Sequence, residues 1–177
     1  MSRKIKWGII STAKIAETAL IPALNKSKNS ELVAIASRNK DKARKFAKKN
    51  KVNKFYSSYK KLYEDETIDV IYNPLPNHLH VNSTINAINN NKHVLLEKPI
   101  TLKSKDVNLI KKAANKKNKI VKEAFMVRHH SQWQWIKKYV DSKKIGKING
   151  ITTLFSYKNL DPKNIRNIKK FGGGGLW

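Results

Sequence analysis

The feature that most constrains the fold is the alternation of short apolar runs with longer amphipathic stretches. Apolar runs begin near Ile5, Leu32, Ile68 and His93, and each is followed by a segment with helical spacing of its apolar residues. Strands that alternate with helices in this way form βαβ units, whose parallel strands are covered by helices on both faces. The sequence therefore predicts an α/β fold with a Rossmann-type doubly wound parallel sheet.

The predicted elements divide the chain into two parts. Strands are predicted over 5–10, 32–36, 52–56, 68–72, 93–96 and 120–121, and helices over 15–26, 40–49, 59–64, 80–90 and 104–115. After Ala124 the pattern changes to an aromatic helix over 133–140, a β-rich stretch over 147–157 and a polar segment. We therefore expect a first domain over 1–122 and the incomplete beginning of an α+β domain over 123–177.

The charge of the chain has two interpretations. A formal net charge of +26 suits a nucleic-acid-binding protein. However, only five of the 38 basic residues are arginine, although base recognition relies on bidentate arginine, and the lysines are spread through every predicted helix. We interpret the charge as a solvated lysine-rich surface without a specific nucleic-acid partner. A lysine-rich nucleic-acid binder is the alternative, which a salt titration of binding would test.

Several other classes of protein are disfavoured. The chain contains no cysteine, which excludes disulfides and thiolate metal sites. No apolar run reaches the roughly 18–20 residues of a membrane span, and residues 1–6 are not followed by the apolar core of a secretory signal. The histidine pairs 78/80 and 129/130 lack a carboxylate at ligand spacing, so no metal site is predicted. We expect a cytoplasmic protein without a membrane partner.

The turn after the first predicted strand has small residues where a dinucleotide-binding turn needs them. Ser11 and Ala13 stand where the backbone would approach a pyrophosphate, and Ala16 stands where the helix packs on the strand. The backbone N–H groups expected to face the phosphates are those of Thr12, Ala13, Lys14 and Ile15. An ordinary tight turn between strand and helix would fit this segment equally well.

The second predicted strand ends in a serine and an arginine. Enzymes that use NAD usually place an acidic residue here to bind the ribose 2′-hydroxyl, whereas an arginine accommodates the 2′-phosphate of NADP. Ser37 can donate to such a phosphate and Arg38 can pair with it. The sequence therefore favours NADP, with NAD as the alternative.

Two further strand ends carry polar segments fixed by proline. One is Asn-Pro-Leu-Pro-Asn-His-Leu-His at 73–80, and the other is Glu97-Lys98-Pro99. A lysine at the mouth of a parallel sheet can polarise or protonate a substrate hydroxyl. A surface lysine among many is the alternative, and spacing alone favours it.

Together these segments resemble the Gfo/Idh/MocA family (glucose–fructose oxidoreductase, inositol dehydrogenase and rhizopine catabolism). The resemblance is carried by W-G-I-I-S-T-A-K-I-A at 7–16, A-S-R at 36–38, N-P-L-P-N-H-L-H at 73–80, L-E-K-P at 96–99, E-A-F-M-V-R at 123–128 and G-G-G-G-L-W at 172–177. The Ser-Thr-Ala turn and the E-A-F-M-x-R segment look most like dimeric dihydrodiol dehydrogenases and NADP-dependent xylose dehydrogenases.

The resemblance implies hydride transfer between NADP(H) and a CH–OH group of a sugar, polyol or dihydrodiol. It implies that Lys98 is the catalytic lysine, and that an open-faced antiparallel sheet after the Rossmann domain carries the substrate pocket and the surface of a homodimer or larger oligomer. The cofactor would be lined by Ser11, Thr12, Ala13, Lys14, Ile15, Ser37, Arg38, Leu75, Asn77, His80, Glu97, Lys98 and Glu123, with Arg128 near the nicotinamide or the substrate.

The end of the chain departs from the family pattern. Members often follow the glycine run with an aspartate and a histidine that share acid–base work, and this chain ends at Trp177, where that aspartate would follow. We therefore expect a fragment that binds cofactor better than it turns over substrate. A non-catalytic nucleotide-binding sensor of the same fold is the alternative.

The incomplete second part has a consequence for packing. A sheet with one or two of its strands cannot bury its apolar face. We expect Ile148, Ile151, Leu154 and Phe155 to be partly exposed, and the segment 171–177 to have nothing to pack on.

Overall fold

A six-stranded parallel sheet forms the centre of the computed structural model, which describes residues 3–173. Its strands are β1 (Ile5–Ile10), β2 (Ser30–Ala36), β3 (Lys54–Tyr56), β4 (Val70–Asn73), β5 (His93–Leu96) and β6 (Val121–Glu123). The strand order is β3-β2-β1-β4-β5-β6. This order is that of the doubly wound dinucleotide-binding fold, so the predicted fold class is confirmed.

Helices connect the strands and cover both faces of the sheet. They are α1 (Ile21–Lys26), α2 (Lys40–Lys49), α3 (Tyr59–Tyr63), α4 (His80–Asn89), α5 (Ser104–Lys117) and α6 (Ser131–Asp141). One π-helical turn, Ala16–Leu20, leads into α1. Shorter 3₁₀ turns lie at Asn77–Leu79, Met126–His129, Ile165–Asn167 and Lys169–Phe171. Among residues 3–173, no helix has the length and apolar character needed to cross a membrane.

The two faces of the sheet bury separate sets of apolar side chains. Successive residues of a strand point to opposite faces, so Ile9 packs with α1 and α2 while Ile10 packs with the helices on the other side. Gly8 lies on the same face as Ile10, and a Cβ there would lie 3.0 Å from Ile68 Cδ1 and 3.1 Å from Leu62 Cδ2. Close packing of α3 on β1 therefore depends on this glycine.

Asparagine residues mark the start of α2 and the end of α5. Asn39 precedes α2, and its side-chain oxygen accepts a hydrogen bond of 2.9 Å from the N–H of Lys42. Asn118 follows α5 with a φ of 49°, a left-handed conformation that asparagine tolerates at a helix end. These asparagines define where the two helices begin and end.

The second part of the chain differs from the prediction. The aromatic helix is confirmed as α6, but the β-rich stretch predicted over 147–157 is wrong, because no strand forms there. A strand needs a neighbour to pair its backbone groups, and the described residues supply none for this segment. Its apolar side chains are exposed as expected: Ile148 by 42%, Ile151 by 79%, Leu154 by 94% and Phe155 by 88%.

The expectation that the segment from 171 has nothing to pack on is wrong for its first residues. The Phe171 ring stacks on His78 with centroids 5.1 Å apart, and Gly172 is buried against Asn77 and Leu102. Residues 174–177 lie outside the described part of the chain. The chain therefore returns to the sheet after the exposed segment.

Candidate functional site

The carboxyl ends of the strands lie together at one edge of the sheet. The ladder extends past two strands, because the N–H of Ser11 donates to Ala36 O at 2.7 Å and the N–H of Glu97 donates to Asn73 O at 3.0 Å. The loops after β1, β2, β4 and β5 therefore start side by side. The strand order reverses between β1 and β4, and ligands of such sheets bind in the crevice at this point.

The turn after β1 has a backbone conformation that usually requires glycine. Ser11 has a φ of 95°, a value that usually belongs to glycine, and its Oγ accepts a hydrogen bond of 3.2 Å from the N–H of Ala13. Ala16 is fully buried against the sheet. Thr12, Ala13 and Ile15 are half-buried and Lys14 is exposed. Serine and alanine therefore take the places of the usual glycines without loss of the turn.

The end of β2 presents a cation to solvent. Ser37 is buried, and its Oγ accepts a hydrogen bond of 3.3 Å from the N–H of Asn39, while Arg38 is exposed. The pKa of Tyr59 is raised overall because the side chain is partly buried, and the neighbouring Arg38 guanidinium offsets part of this increase. The exposed guanidinium thus lies near the Tyr59 hydroxyl, and it can still meet an anion from solvent.

A carboxylate network joins the ends of β4 and β5. The hydroxyl of Tyr72 donates to Glu97 Oε1 at 2.6 Å, and the backbone N–H of Lys98 donates to Glu97 Oε2 at 3.3 Å. Burial and the Glu97 carboxylate both raise the pKa of Tyr72, which keeps its proton. Both carboxylate oxygens of Glu97 therefore hold protein groups in place.

Tyr72 was missed at the level of the sequence, although the strand register could have revealed it. Tyr72 pairs with Leu95, and Glu97 follows two residues later. Side chains two apart on a strand share a face, so Tyr72 and Glu97 are diagonal neighbours. A prediction of register as well as of strands would have found this contact.

Glu123 ties the last strand to the turn after β5. Its Oε1 accepts a hydrogen bond of 2.8 Å from the N–H of Ile100. The turn itself contains a cis Lys98–Pro99 peptide bond. The Lys98 side chain is exposed and forms no ion pair within residues 3–173, so its ammonium group is available to a ligand.

The segment after β4 places one half-buried residue and two buried residues at the same edge. Asn77 is half-buried, and its amide donates to the carbonyl of Gly172 at 2.7 Å. Leu75 is buried, and His80 has no exposed surface. Asn77 can therefore face a ligand, while His80 can act only through the residues around it.

Arg128 lies on an exposed turn after β6. It is exposed on the 3₁₀ turn Met126–His129, and its side chain forms no hydrogen bond or ion pair with the strand-end residues of the described chain. Within residues 3–173, no three potential metal-ligating side chains cluster.

An apolar groove of about 620 Å³ lies elsewhere on the molecule. Its walls include Ile5, Trp7, Val70, Leu95 and Ile120. It contains none of the strand-end residues predicted to bind cofactor. A pyrophosphate needs N–H donors and cations, so we assign the candidate site to the strand ends and not to this groove.

The strand order, the positive-φ turn after β1 and the serine–arginine pair after β2 define a dinucleotide-binding Rossmann domain. The chain belongs to the Gfo/Idh/MocA family, because the model of that oxidoreductase family, described as an NAD-binding Rossmann fold, matches residues 5–125. The predicted family and NAD(P)-binding domain are thus confirmed.

Similar proteins include oxidoreductases that act on sugar-like molecules. The chain is 40% identical over 173 residues to an uncharacterised oxidoreductase of Rhizobium meliloti, which covers 98% of the chain and 52% of that protein. It is 33% identical to trans-1,2-dihydrobenzene-1,2-diol dehydrogenase of Xenopus laevis, with 97% and 52% covered. It is 32% identical to an NADP(+)-dependent D-xylose 1-dehydrogenase of Haloferax volcanii, with 96% and 52% covered.

The fold also matches a solved structure. The 3-ketoreductase KijD10 of Actinomadura kijaniata, in complex with NADP and TDP-benzene, aligns with a TM-score of 0.75 and 32% identity over 79% of this chain and 43% of that one. The chain spans about half the length of the relatives that it matches.

Proposed function

We propose that the chain is the nucleotide-binding part of a dehydrogenase that transfers a hydride between NADP(H) and a CH–OH group of a sugar, polyol or dihydrodiol. The proposal is supported by the position of three groups at the carboxyl ends of strands in one sheet: the Ser11 turn, the pair Ser37–Arg38 and the exposed Lys98. The relatives named for NADP-dependent chemistry support it.

The assignment of residues to the cofactor follows from their chemistry. The N–H groups from Thr12 to Ile15 would face the pyrophosphate, and Ser37 and Arg38 would hold the 2′-phosphate. Leu75 and Asn77 would border the nicotinamide half, with Glu97 and Glu123 fixing the surrounding turns. The bound nicotinamide would supply the hydride acceptor or donor.

Lys98 is the proposed catalytic residue. Its backbone is held by Glu97, and its side chain extends from the edge of the sheet without an ionic partner in the described chain. An ammonium group there can donate a hydrogen bond to the reacting hydroxyl oxygen and stabilise negative charge that develops on it.

The remaining features of the proposal concern the whole protein. We propose that residues 1–122 hold the cofactor and that 123–177 begin a substrate-binding domain, in which Arg128 would approach the nicotinamide or the substrate. A cytoplasmic homodimer or larger oligomer is the proposed working form. Homology to a reductase of a dTDP-linked sugar adds nucleotide-activated sugars to the substrates worth testing.

The first experiment tests the cofactor. NADPH should bind more tightly than NADH by about ten- to a hundredfold, because an arginine–phosphate pair contributes roughly 1.5–3 kcal/mol. Fluorescence titration of the 177-residue chain with both cofactors measures this ratio. Arg38→Asp should reverse the preference, whereas Arg44→Asp, an exposed arginine on α2, should leave it unchanged. Equal affinities would refute the proposed 2′-phosphate site.

The second experiment tests Lys98. In a longer form of the protein that turns over substrate, Lys98→Ala should lower kcat by about 10²–10⁴-fold while NADPH affinity changes little. Lys103→Ala, at an exposed lysine before α5, is the matched control. A loss of less than about threefold in kcat would assign Lys98 to the solvated surface. NADPH binding without any turnover would favour the non-catalytic sensor.

A further inference from the structure

His80 lies between the two loops that carry the candidate site. Its Nδ1 is 2.7 Å from the carbonyl oxygen of Pro99, and its Nε2 is 2.8 Å from the carbonyl oxygen of Leu75. Leu75 belongs to the loop after β4, and Pro99 belongs to the turn after β5. The imidazole ring, which has no exposed surface, is thus a direct bridge between them.

The chemistry of this bridge is unusual because both neighbours of the ring only accept hydrogen bonds. A neutral imidazole has one N–H, so it can donate to one carbonyl and turns a lone pair toward the other. Only the imidazolium donates to both carbonyls. The pKa of His80 is lowered overall, chiefly by burial and also by His78. The two carbonyls and the Glu97 carboxylate act in the opposite direction.

The side chain of Asn73 fixes the backbone on both sides of the contact between His80 and Leu75. The amide nitrogen of Asn73 donates to His80 O at 3.4 Å and to Thr84 Oγ1 at 3.2 Å. The amide oxygen of the same side chain accepts a hydrogen bond of 3.2 Å from the N–H of Leu75. One buried asparagine therefore fixes both the first turn of α4, where His80 lies, and the loop that His80 contacts.

We propose that His80 is a positioning residue that holds the loop after β4 against the turn after β5, and so fixes Asn77 and Lys98 relative to each other at the cofactor edge. The proposal rests on the proposed function only in placing NADP at this edge. His80 itself touches neither cofactor nor substrate. Because the imidazolium alone bonds both loops, the connection becomes stronger as the ring gains its second proton.

Three substitutions separate the two hydrogen bonds. His80→Asn places an amide nitrogen near the position of Nδ1 and keeps the bond to Pro99, and His80→Gln does the same for Nε2 and Leu75. His80→Phe fills the space with neither. NADPH should bind about three- to tenfold more weakly to whichever of the Asn and Gln variants loses the bond of the neutral ring's single N–H, and about ten- to a hundredfold more weakly to the Phe variant.

The control is a second histidine of the sheet. His93 begins β5 at the opposite edge, and its Nδ1 accepts a hydrogen bond of 3.0 Å from the N–H of Ile120. His93→Asn keeps an acceptor near the position of Nδ1 and should leave NADPH affinity unchanged. Titrations are run on the 177-residue chain, with circular dichroism to establish that each variant is folded.

A pH series distinguishes positioning from simple packing. NADPH affinity is measured from about pH 8 to about pH 5.5 for the original chain and for His80→Gln. The phosphate of the ligand titrates near pH 6 with both proteins and cancels in the ratio of their affinities. The ratio should increase as the pH falls toward the lowered pKa of His80, and ¹⁵N NMR measures how far the second ring nitrogen is protonated at each pH.

The outcomes separate the two proposals. Equal NADPH affinity in the original chain and in the folded His80 variants, or a ratio that stays constant while ¹⁵N NMR shows His80 gaining its second proton, would overturn the role of His80 and leave the proposed function intact. If the Phe variant does not fold, the Asn and Gln variants decide. Failure of the unsubstituted chain to bind either cofactor would overturn the proposed function instead.

Discussion

Two regions of the molecule contain similar apolar residues in opposite environments. In the sheet and its helices, Ile71 and Leu62 are fully buried, whereas in the segment 142–164 Ile151 is 79% and Leu154 is 94% exposed. Each strand of the first region has a parallel neighbour, and the second region has no strand among the described residues. Apolar composition thus does not order a segment unless a partner surface is present to exclude water from it.

The chain that follows the exposed segment contacts the candidate site. The Phe171 ring stacks on His78, and Asn77 holds the carbonyl of Gly172. Asn77 and Gly172 are 95 positions apart in the sequence. The exposed segment is therefore anchored on its C-terminal side, by the contacts of Phe171 and Gly172 with the loop after β4.

The largest expected difference between the regions is in hydrogen exchange. Amides of β1 and β4 should exchange only on global unfolding, with protection at least about 10³-fold above that of residues 147–164. Mass spectrometry of the exchanging chain measures this difference for each segment. Uniform protection through residue 164 would mean that the second region is ordered by itself, and the comparison would fail.

A matched pair of leucines tests how much each region contributes to the free energy of unfolding. Leu62→Ala should lower the free energy of unfolding by about 2–5 kcal/mol, because Leu62 is fully buried in the core between α3 and the sheet. Leu154→Ala should change it by less than about 0.5 kcal/mol. Denaturant unfolding followed by circular dichroism measures both. A comparable loss at Leu154 would show that this side chain is buried in solution.

A matched pair of glycines tests the contact between the regions, with the smallest effect on global stability. Gly172 has a φ of 78°, and a Cβ there would lie 2.9 Å from Asn77 Cβ and from Leu102. Gly172→Ala should weaken the docking of residues 169–173 by about 1–2 kcal/mol. Gly150→Ala, whose Cβ would meet nothing within 4 Å, is the control.

Limited proteolysis after residues 160–170 is the measurement for this glycine pair. Faster cleavage in Gly172→Ala than in Gly150→Ala is the expected result, since a released segment is accessible to protease. Equal rates in the two variants would show that the contact with Asn77 and Leu102 does not hold the segment.

Most of the fold could be predicted because its information is local. The apolar runs at 5–10 and 93–96 coincide with β1 and β5, since buried parallel strands are continuous apolar segments between short turns. The strand-end residues of the site followed from the same rule, because the carboxyl ends of parallel strands share an edge. The prediction over 147–157 was wrong because β-branched and aromatic residues favour a strand only where a neighbour exists.

The contacts inside the site could not be predicted in the same way. The bond between Tyr72 and Glu97 depends on register, and the bridge from His80 to Leu75 and Pro99 depends on how two loops fold toward each other. A sequence shows histidine in a family motif but not whether its ring is buried. His80, which the resemblance placed along the cofactor, is in the structure a residue that can act only through its neighbours.

The strand order also determines how the sheet can be assembled during synthesis. β2 adds beside β1 and β3 beside β2, after which β4, β5 and β6 add one after another on the other side of β1. Each strand thus joins an open edge as it leaves the ribosome, and none has to be inserted between two strands already paired. A nascent chain can therefore extend this sheet outward in the order of translation, and each new strand covers one of the two open edges of the sheet already formed.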